Sequence, residues 1–414
     1  MSVNYKPEEF KMESNKLGSV PKFALGAAVI GLLATVVAYF MQRNGQQDFF
    51  YRSYLIGFLF WFNMAAGCLF WLMVQHLSGG AWGVMLRRVA EAGARTMPWI
   101  MLFFIPVIIG LKSGHLFEWG GGNDLDYVLK QKELYLNEPS FFIRLAIYII
   151  VWVYLAYRLA GLSYKQDEGI DPLLTIRMKR NSAVGILLLF LTMTFASVDW
   201  VLSLEPHFFS TMIGPIIMAG QALGSMALIV VVMVILVSAG VMRNRLTSGH
   251  VHDYGNFLLA GTMFWAYVNF SQFLIIWSAN IAEEAPYYMR RMSGGWGWIG
   301  AFLIAFHFFF PFFLLLNRNL KKSLKTLVKV ALFILFLRFV DLCFLVLPSA
   351  VDHNAPDYLY HGRMDFGSIA VAAFAVIGIG GVWVTLFFRS LVKRPLLPAN
   401  DPYLKEALEF RGGH

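Results

Sequence analysis

The sequence predicts an all-α, polytopic membrane protein: about ten transmembrane helices packed as helical bundles, with both termini cytoplasmic. Three observations carry this. First, the 414 residues are 58% hydrophobic and 14% charged, with a mean hydropathy of +0.60. A soluble domain is about 45–50% apolar and about 25% charged, so one aqueous core could not bury this much apolar side chain, and a soluble enzyme is excluded. Second, apolar runs of about 20 residues, the length that crosses about 30 Å of hydrocarbon, recur along the chain. Third, Lys and Arg sort onto alternate loops.

The polar lead over residues 1–22 is too long and too acidic for a signal n-region, and no small-residue cleavage site follows it, so it is expected to stay as a cytoplasmic tail. Ten runs then follow as spans 1 to 10: Phe23 to Met41, Tyr54 to Val74, Pro98 to Leu111, Phe141 to Tyr157, Ser182 to Leu204, Met212 to Ala239, Tyr254 to Trp277, Trp296 to Leu316, Leu324 to Leu347 and Phe366 to Phe388. Span 3 has the shortest strictly apolar part. Its approach, Val84 to Met97, carries Arg87, Arg88, Glu91 and Arg95, and is expected to rise through the headgroup layer. Pro106, Pro215 and Pro311 are expected to interrupt spans 3, 6 and 8. The organisation is a tail over 1–22, a transmembrane domain over 23–388 and a cytoplasmic tail over 389–414. Two Gly/Trp strings, SGGAWG at 78–83 and SGGWGW at 293–298, each lead into a span. They suit either a duplication or interfacial tryptophans.

Charge orients the chain. Of the 34 Lys and Arg, 24 fall on the side of the termini, 8 in the opposite loops, and Arg144 and Arg338 inside spans. The opposite-side residues are Arg43, Arg52, Lys112, Lys130, Lys132, Arg290, Arg291 and Arg363. An error of one in the span count would scramble this asymmetry, so the bias supports both the count and cytoplasmic termini. The net charge of +9 reads as the same signature, not as nucleic-acid binding.

Several chemistries lack their residues. Cys68 and Cys343 lie in apolar runs without a CxxC or CxxCH, so no disulfide framework, structural zinc or covalent haem is expected. Of the nine histidines only His307 falls mid-span, and a transmembrane bis-histidine haem needs two. There is no Walker A string, HExxH or GxSxG.

Polar groups inside hydrocarbon cost about 2.5–3.5 kcal/mol each when charged, and they mark pathways or sites. They gather in the outer halves of spans 5, 7, 8 and 9. Asp199 lies about 8 Å from the outer end of span 5, and Gln272 lies at a similar depth in span 7. His307 and Arg338 lie near mid-membrane, with Asp341 one turn further out. Glu205, Glu283 and Glu284 stand in the adjoining outer loops. The proton-path candidates are Asp199, Glu205, Glu283, Glu284, His307, Arg338 and Asp341, and the headgroup-contact candidates are Tyr267, Asn269 and Gln272. Each also has a structural reading. Arg338 and Asp341, three apart, can neutralise one another on one helix, Asn269 and Gln272 can join helices, and His307 can be a satisfied core imidazole. The aromatic content, 16%, suits a quinone ring or simple packing.

Several strings are distinctive: TFASVDWVLSLEPHFFS (194–210), FWAYVNFSQFLIIWSANIAEEAPYYMRR (264–291), SGGWGW (293–298), LRFVDLCFLV (337–346) and RPLLPANDP (394–402). With HLSGGAWGVMLRRVAEAGAR (76–95) and KQKELYLNEPSFFIRLAIY (130–148), they cover nearly the whole chain. The chain resembles the ActF-type membrane subunit of bacterial alternative complex III, a quinol:cytochrome c or electron-carrier oxidoreductase, within the wider NrfD/PsrC-like group. The resemblance implies a ten-helix subunit of the bacterial inner membrane with no bound cofactor of its own. It also implies a paralogous NrfD-like membrane partner, with iron–sulfur clusters and haem c in partner subunits, the latter a multihaem c-type cytochrome. In that family the better-supported quinol site lies in the paralogue. This subunit is discussed for proton conduction and for a second site for menaquinone or ubiquinone. Two other classes suit the same residues: a secondary transporter with a midplane polar site, and a purely structural membrane subunit.

Overall fold

The computed structural model describes residues 7–12, 17–41, 47–122, 126–240, 242–349 and 364–410. Arg43, Arg363, His353, His361 and His414 lie outside them. Among the described residues the structure is helical without strands, and ten helices are long and apolar enough to cross a membrane. The chain is therefore an all-α, multi-pass integral membrane protein. The ten are Val20–Met41, Gln47–Ser78, Ala81–Lys112, Glu138–Glu168, Pro172–Leu204, Ile213–Ser238, Ser248–Ala279, Trp296–Leu316, Leu324–Ser349 and Phe366–Val392. They correspond one to one with spans 1 to 10. Most of them outrun their apolar runs. Span 5 starts ten residues before Ser182 because Asp171 caps it by accepting from Leu173 N–H at 2.9 Å, with Pro172 in its first turn.

Span 2 is the axis. In its most apolar stretch 89% of residues are buried, against 17% in span 1. It packs on spans 3, 5, 6, 9 and 10, and span 6 packs on spans 5, 7 and 9. Span 4 pairs with span 5, span 8 lies against spans 7 and 9, and span 1 lies against span 10. This last contact is backbone on backbone. A Cβ at Gly381 would stand 2.3 Å from both the Ala24 carbonyl oxygen and the Ala28 nitrogen, and one at Gly31 2.3 Å from the Gly378 nitrogen. Small residues that admit such approach are how helices associate in lipid. Gly381→Val is accordingly expected to displace span 1 and cost about 1–3 kcal/mol, read as a lowered thermal midpoint of the detergent-solubilised protein.

The first and last described segments meet at one end of the bundle. Leu396 N–H donates to the Phe10 carbonyl at 2.8 Å, and Phe10, Leu396, Leu397, Leu404 and Ala407 are buried. This end is called the terminal face, and its opposite the far face. Much of the segment after residue 388 is thus docked rather than a loose tail.

Proline effects differ by position. Span 3 is broken into Ala81–Ala94, Met97–Leu102 and Ile105–Lys112, with Pro98 and Pro106 opening the second and third pieces. Pro215 lies in the first turn of span 6, where its missing N–H costs nothing, and interrupts nothing. Nearly all of Ala81–Ala94 is buried inside protein, so its charged side chains meet protein partners rather than an open surface. The two Gly/Trp strings share one device on opposite faces. Gly79–Gly80 (φ 66° and 83°) and Gly294–Gly295 (φ 59° and 98°) take left-handed backbone that launches spans 3 and 8.

Candidate functional site

The deepest polar cluster is drawn from four spans. Pro311 has no N–H to give the His307 carbonyl, and the helix around it widens to a π-turn over Ile304–Phe309. That turn holds the fully buried His307 imidazole against Trp265 of span 7, with ring centroids 4.0 Å apart and planes at 20°. Trp265 Nε1 donates to Asp341 Oδ2 at 3.2 Å, and Arg338 Nη1 donates to the same oxygen. Span 6 makes room for the guanidinium with Gly220, where any Cβ would come within 1.9 Å of it. Neither ring nitrogen of His307 has a hydrogen-bond partner on another residue. The cluster thus combines a carboxylate held by two donors with an imidazole that has unused capacity for a proton.

Towards the far face two carboxylates are locked in ion pairs. Asp199, fully buried, accepts from Arg144 Nε at 3.0 Å, Arg144 Nη2 at 2.9 Å and the Tyr148 hydroxyl at 2.8 Å. Arg144 also donates to the Tyr135 carbonyl at 3.0 Å and lies 3.8 Å from that ring's centroid. This clamp ties span 4 to span 5. Glu205 accepts from Arg290 at 3.0 Å and Arg291 at 2.9 Å, and Arg291 also donates to the Leu345 carbonyl at 2.7 Å. Three segments remote in sequence meet there. Burial against Phe208, stacked 3.9 Å away, pushes the Tyr287 phenol up to about 12, although Arg291 over its ring opposes the shift.

Beside these clamps opens a cleft of about 730 Å³. Its walls are largely apolar (Val198, Leu202, Phe209, Ile275 and Ile276 among them), and its polar points include Lys132, Ser210, Gln272 and Glu284. Ser210 Oγ donates to Gln272 Oε1 at 2.6 Å, which leaves Gln272 Nε2 buried without a partner. Lys132 donates to the Pro206 carbonyl and stands 3.8 Å from the Phe209 ring centroid, and burial lowers its pKa against the pull of Asp126. A few polar groups in a mostly apolar cavity of this size fit a flat organic headgroup. Gln272 and Trp265, seven residues apart, lie about 10 Å apart on one buried face of span 7. The cleft and the His307 cluster therefore stack along the same helix face.

The sequence candidates sort accordingly. His307, Arg338 and Asp341 come together, Gln272 and Glu284 line the cleft, and Asp199 and Glu205 are in the clamps. Glu283 is exposed, Tyr267 is 65% exposed on the outer side of span 7, and Asn269 donates to the Trp265 carbonyl at 2.8 Å. Sequence reasoning missed Arg144, Tyr148, Ser210 and Lys132. An Arg144/Tyr148 spacing of four was the readable signal.

It also missed a second buried network at the terminal face. Glu91 accepts from Arg87 at 3.2 Å and Arg88 at 2.7 Å. Arg87 further donates to Asp401 and, at 3.1 Å, to Gln166. Arg88 donates to Ser163 at 3.0 Å and reaches both oxygens of Asp167 at 2.6 and 2.5 Å. At the break in span 3 the Tyr54 hydroxyl donates to the Phe103 carbonyl at 2.9 Å, which satisfies one of the backbone oxygens freed there. Among the described residues no group of three or more His, Cys, Asp or Glu side chains is placed to hold a metal ion.

No protein-family model and no curated protein matches this chain. Fold and site together define a multi-pass, all-α integral membrane protein with a buried polar centre and a far-face cleft.

Proposed function

We propose that this chain is an ActF-type membrane subunit of a respiratory quinol:electron-acceptor oxidoreductase of the alternative complex III kind, which supplies scaffold and a proton path and touches quinone at the far-face cleft. In this reading it lies in the bacterial inner membrane with its termini cytoplasmic, beside a paralogous membrane subunit and partners that carry haem c and iron–sulfur clusters. The long strings at 194–210 and 264–291 support the assignment. The single observation that carries the mechanism is His307, buried with both ring nitrogens unpartnered beside the Arg338–Asp341 pair.

Quinol supplies two-electron, two-proton chemistry, and its electrons leave to the partner subunits. What this chain's own residues do is hold and move protons and orient a headgroup. Gln272 Nε2 offers a buried donor for a quinone carbonyl, and Glu284 on the cleft wall offers a proton acceptor for a quinol hydroxyl. Deeper along the same face of span 7, His307 takes or gives a proton while Arg338 and Trp265 hold the Asp341 carboxylate ready. The Asp199 and Glu205 clamps are scaffold that keeps the cleft's walls in place.

Two measurements test this separately. Purified by a tag on this chain, the protein is expected to bring c-type haem absorbance with it; a chain that purifies alone overturns the assignment. In the purified complex, Asp341→Asn and His307→Leu are each expected to lower quinol turnover and proton release by about a hundredfold at unchanged size-exclusion profile. Unchanged turnover and proton release in both overturn the path while leaving the assignment standing.

A further inference from the structure

On the terminal face a second cavity, about 710 Å³, opens between spans 3, 4 and 10. Arg95, Arg389, Lys393 and Arg394 all line it, together with the Thr96 and Ser390 hydroxyls, and no carboxylate among the described residues does. Glu91 and Asp167, one helical turn from the lining residues Arg95 and Tyr164, are already engaged by Arg87 and Arg88. Two of the cations are set on aromatic walls: Arg95 lies 4.7 Å from the Tyr157 ring centroid and 5.3 Å from that of Tyr164, and Arg394 lies 4.4 Å from that of Tyr164. Four positive side chains around one hollow repel one another, and a bound anion would relieve that repulsion.

The surroundings say what kind of anion. Trp99, half exposed, stands at the rim as an interfacial tryptophan does. Further from the terminal face the surface is apolar and open: Leu102, Ile105 and Ile109 on span 3, and Tyr154, Ile150 and Ile147 on span 4, are each between 49% and 66% exposed. A basic pocket between helices, with exposed apolar side chains further along the same spans, is the form of a headgroup site with acyl chains lying below it.

We infer that the pocket formed by Arg95, Arg389, Lys393 and Arg394 binds the phosphate headgroup of an anionic phospholipid whose acyl chains lie along the exposed apolar side chains of spans 3 and 4. The site holds the docked C-terminal segment and the break in span 3 against the membrane surface, and it is independent of the quinol reading.

The test uses the protein as it purifies in detergent, incubated with each lipid in turn and then stripped of weakly held lipid, with native mass spectrometry as readout. Phosphatidylglycerol and cardiolipin are expected to remain bound where phosphatidylcholine does not. Arg389→Glu with Lys393→Glu, both exposed and outside the buried networks, should lower anionic-lipid occupancy by about tenfold at an unchanged size-exclusion profile. Lys405→Glu, exposed on the same face, should leave occupancy unchanged. Equal retention of phosphatidylcholine, or a loss equally large with Lys405→Glu, overturns the proposal. Inorganic phosphate at millimolar concentration should not displace the lipid; full displacement would mark the pocket as a site for the free ion and overturn the lipid assignment.

Discussion

Replacing Arg88 by methionine is expected to cost about 3–5 kcal/mol of folding stability, the cost of removing one partner from a buried ion network. Methionine keeps most of the stem volume but strands two carboxylates. Glu91, wholly buried, loses its 2.7 Å partner, and Asp167 loses the cation that reaches both its oxygens. The remaining cation, Arg87, is shared with Asp401. Lys165→Met, on the exposed side of span 4, is expected to change stability by less than about 0.5 kcal/mol. The measurement is the thermal midpoint of the detergent-solubilised protein, with Asp167→Asn added to Arg88→Met as a second variant. That pair should recover part of the loss, because the stranded charge is removed with its partner. A midpoint unchanged in Arg88→Met would mean that the network is solvated rather than buried.

Asp199→Asn is the second large effect, expected at about 3 kcal/mol, the low end of the same range because Arg144 is 16% exposed and partly screened. The structure changes what this variant means. Read from sequence, Asp199 is either a proton-path candidate or a hydrogen-bonded interior carboxylate. Held by two Arg144 nitrogens and Tyr148, it is a clamp between spans 4 and 5. Asp199→Asn combined with Arg144→Gln is therefore expected to regain about half the lost stability. A double variant as unstable as the single one would show that the two side chains do not act as a pair.

These two sites mark where sequence reasoning reached and where it stopped. His307, Arg338 and Asp341 were legible as ionisable groups in apolar runs, and the Arg338–Asp341 pairing was legible from spacing because both lie on one helix. The contact of Trp265 with Asp341, 76 residues away, was not. Nor was Arg144 with Asp199, or Arg87 with Asp401 across 314 residues. Arg52 shows the same limit. Counted among loop charges, it is 2% exposed at the start of span 2, with its Nε donating to Ser349 Oγ at 3.3 Å.

By itself the sequence determined that the chain is a membrane protein, that it has ten crossings, and which few polar side chains lie within them. Hydropathy summed over 20 residues is a local quantity, so lipid selects spans one at a time. Only the tertiary structure decided which of those polar groups neutralise one another, which line the cleft and which basic residues surround an acid-free pocket. Those outcomes depend on the rotation and register of each helix against its neighbours. In lipid these are set by close packing at positions such as Gly31, Gly220 and Gly381, and a hydropathy pattern along one span does not record them.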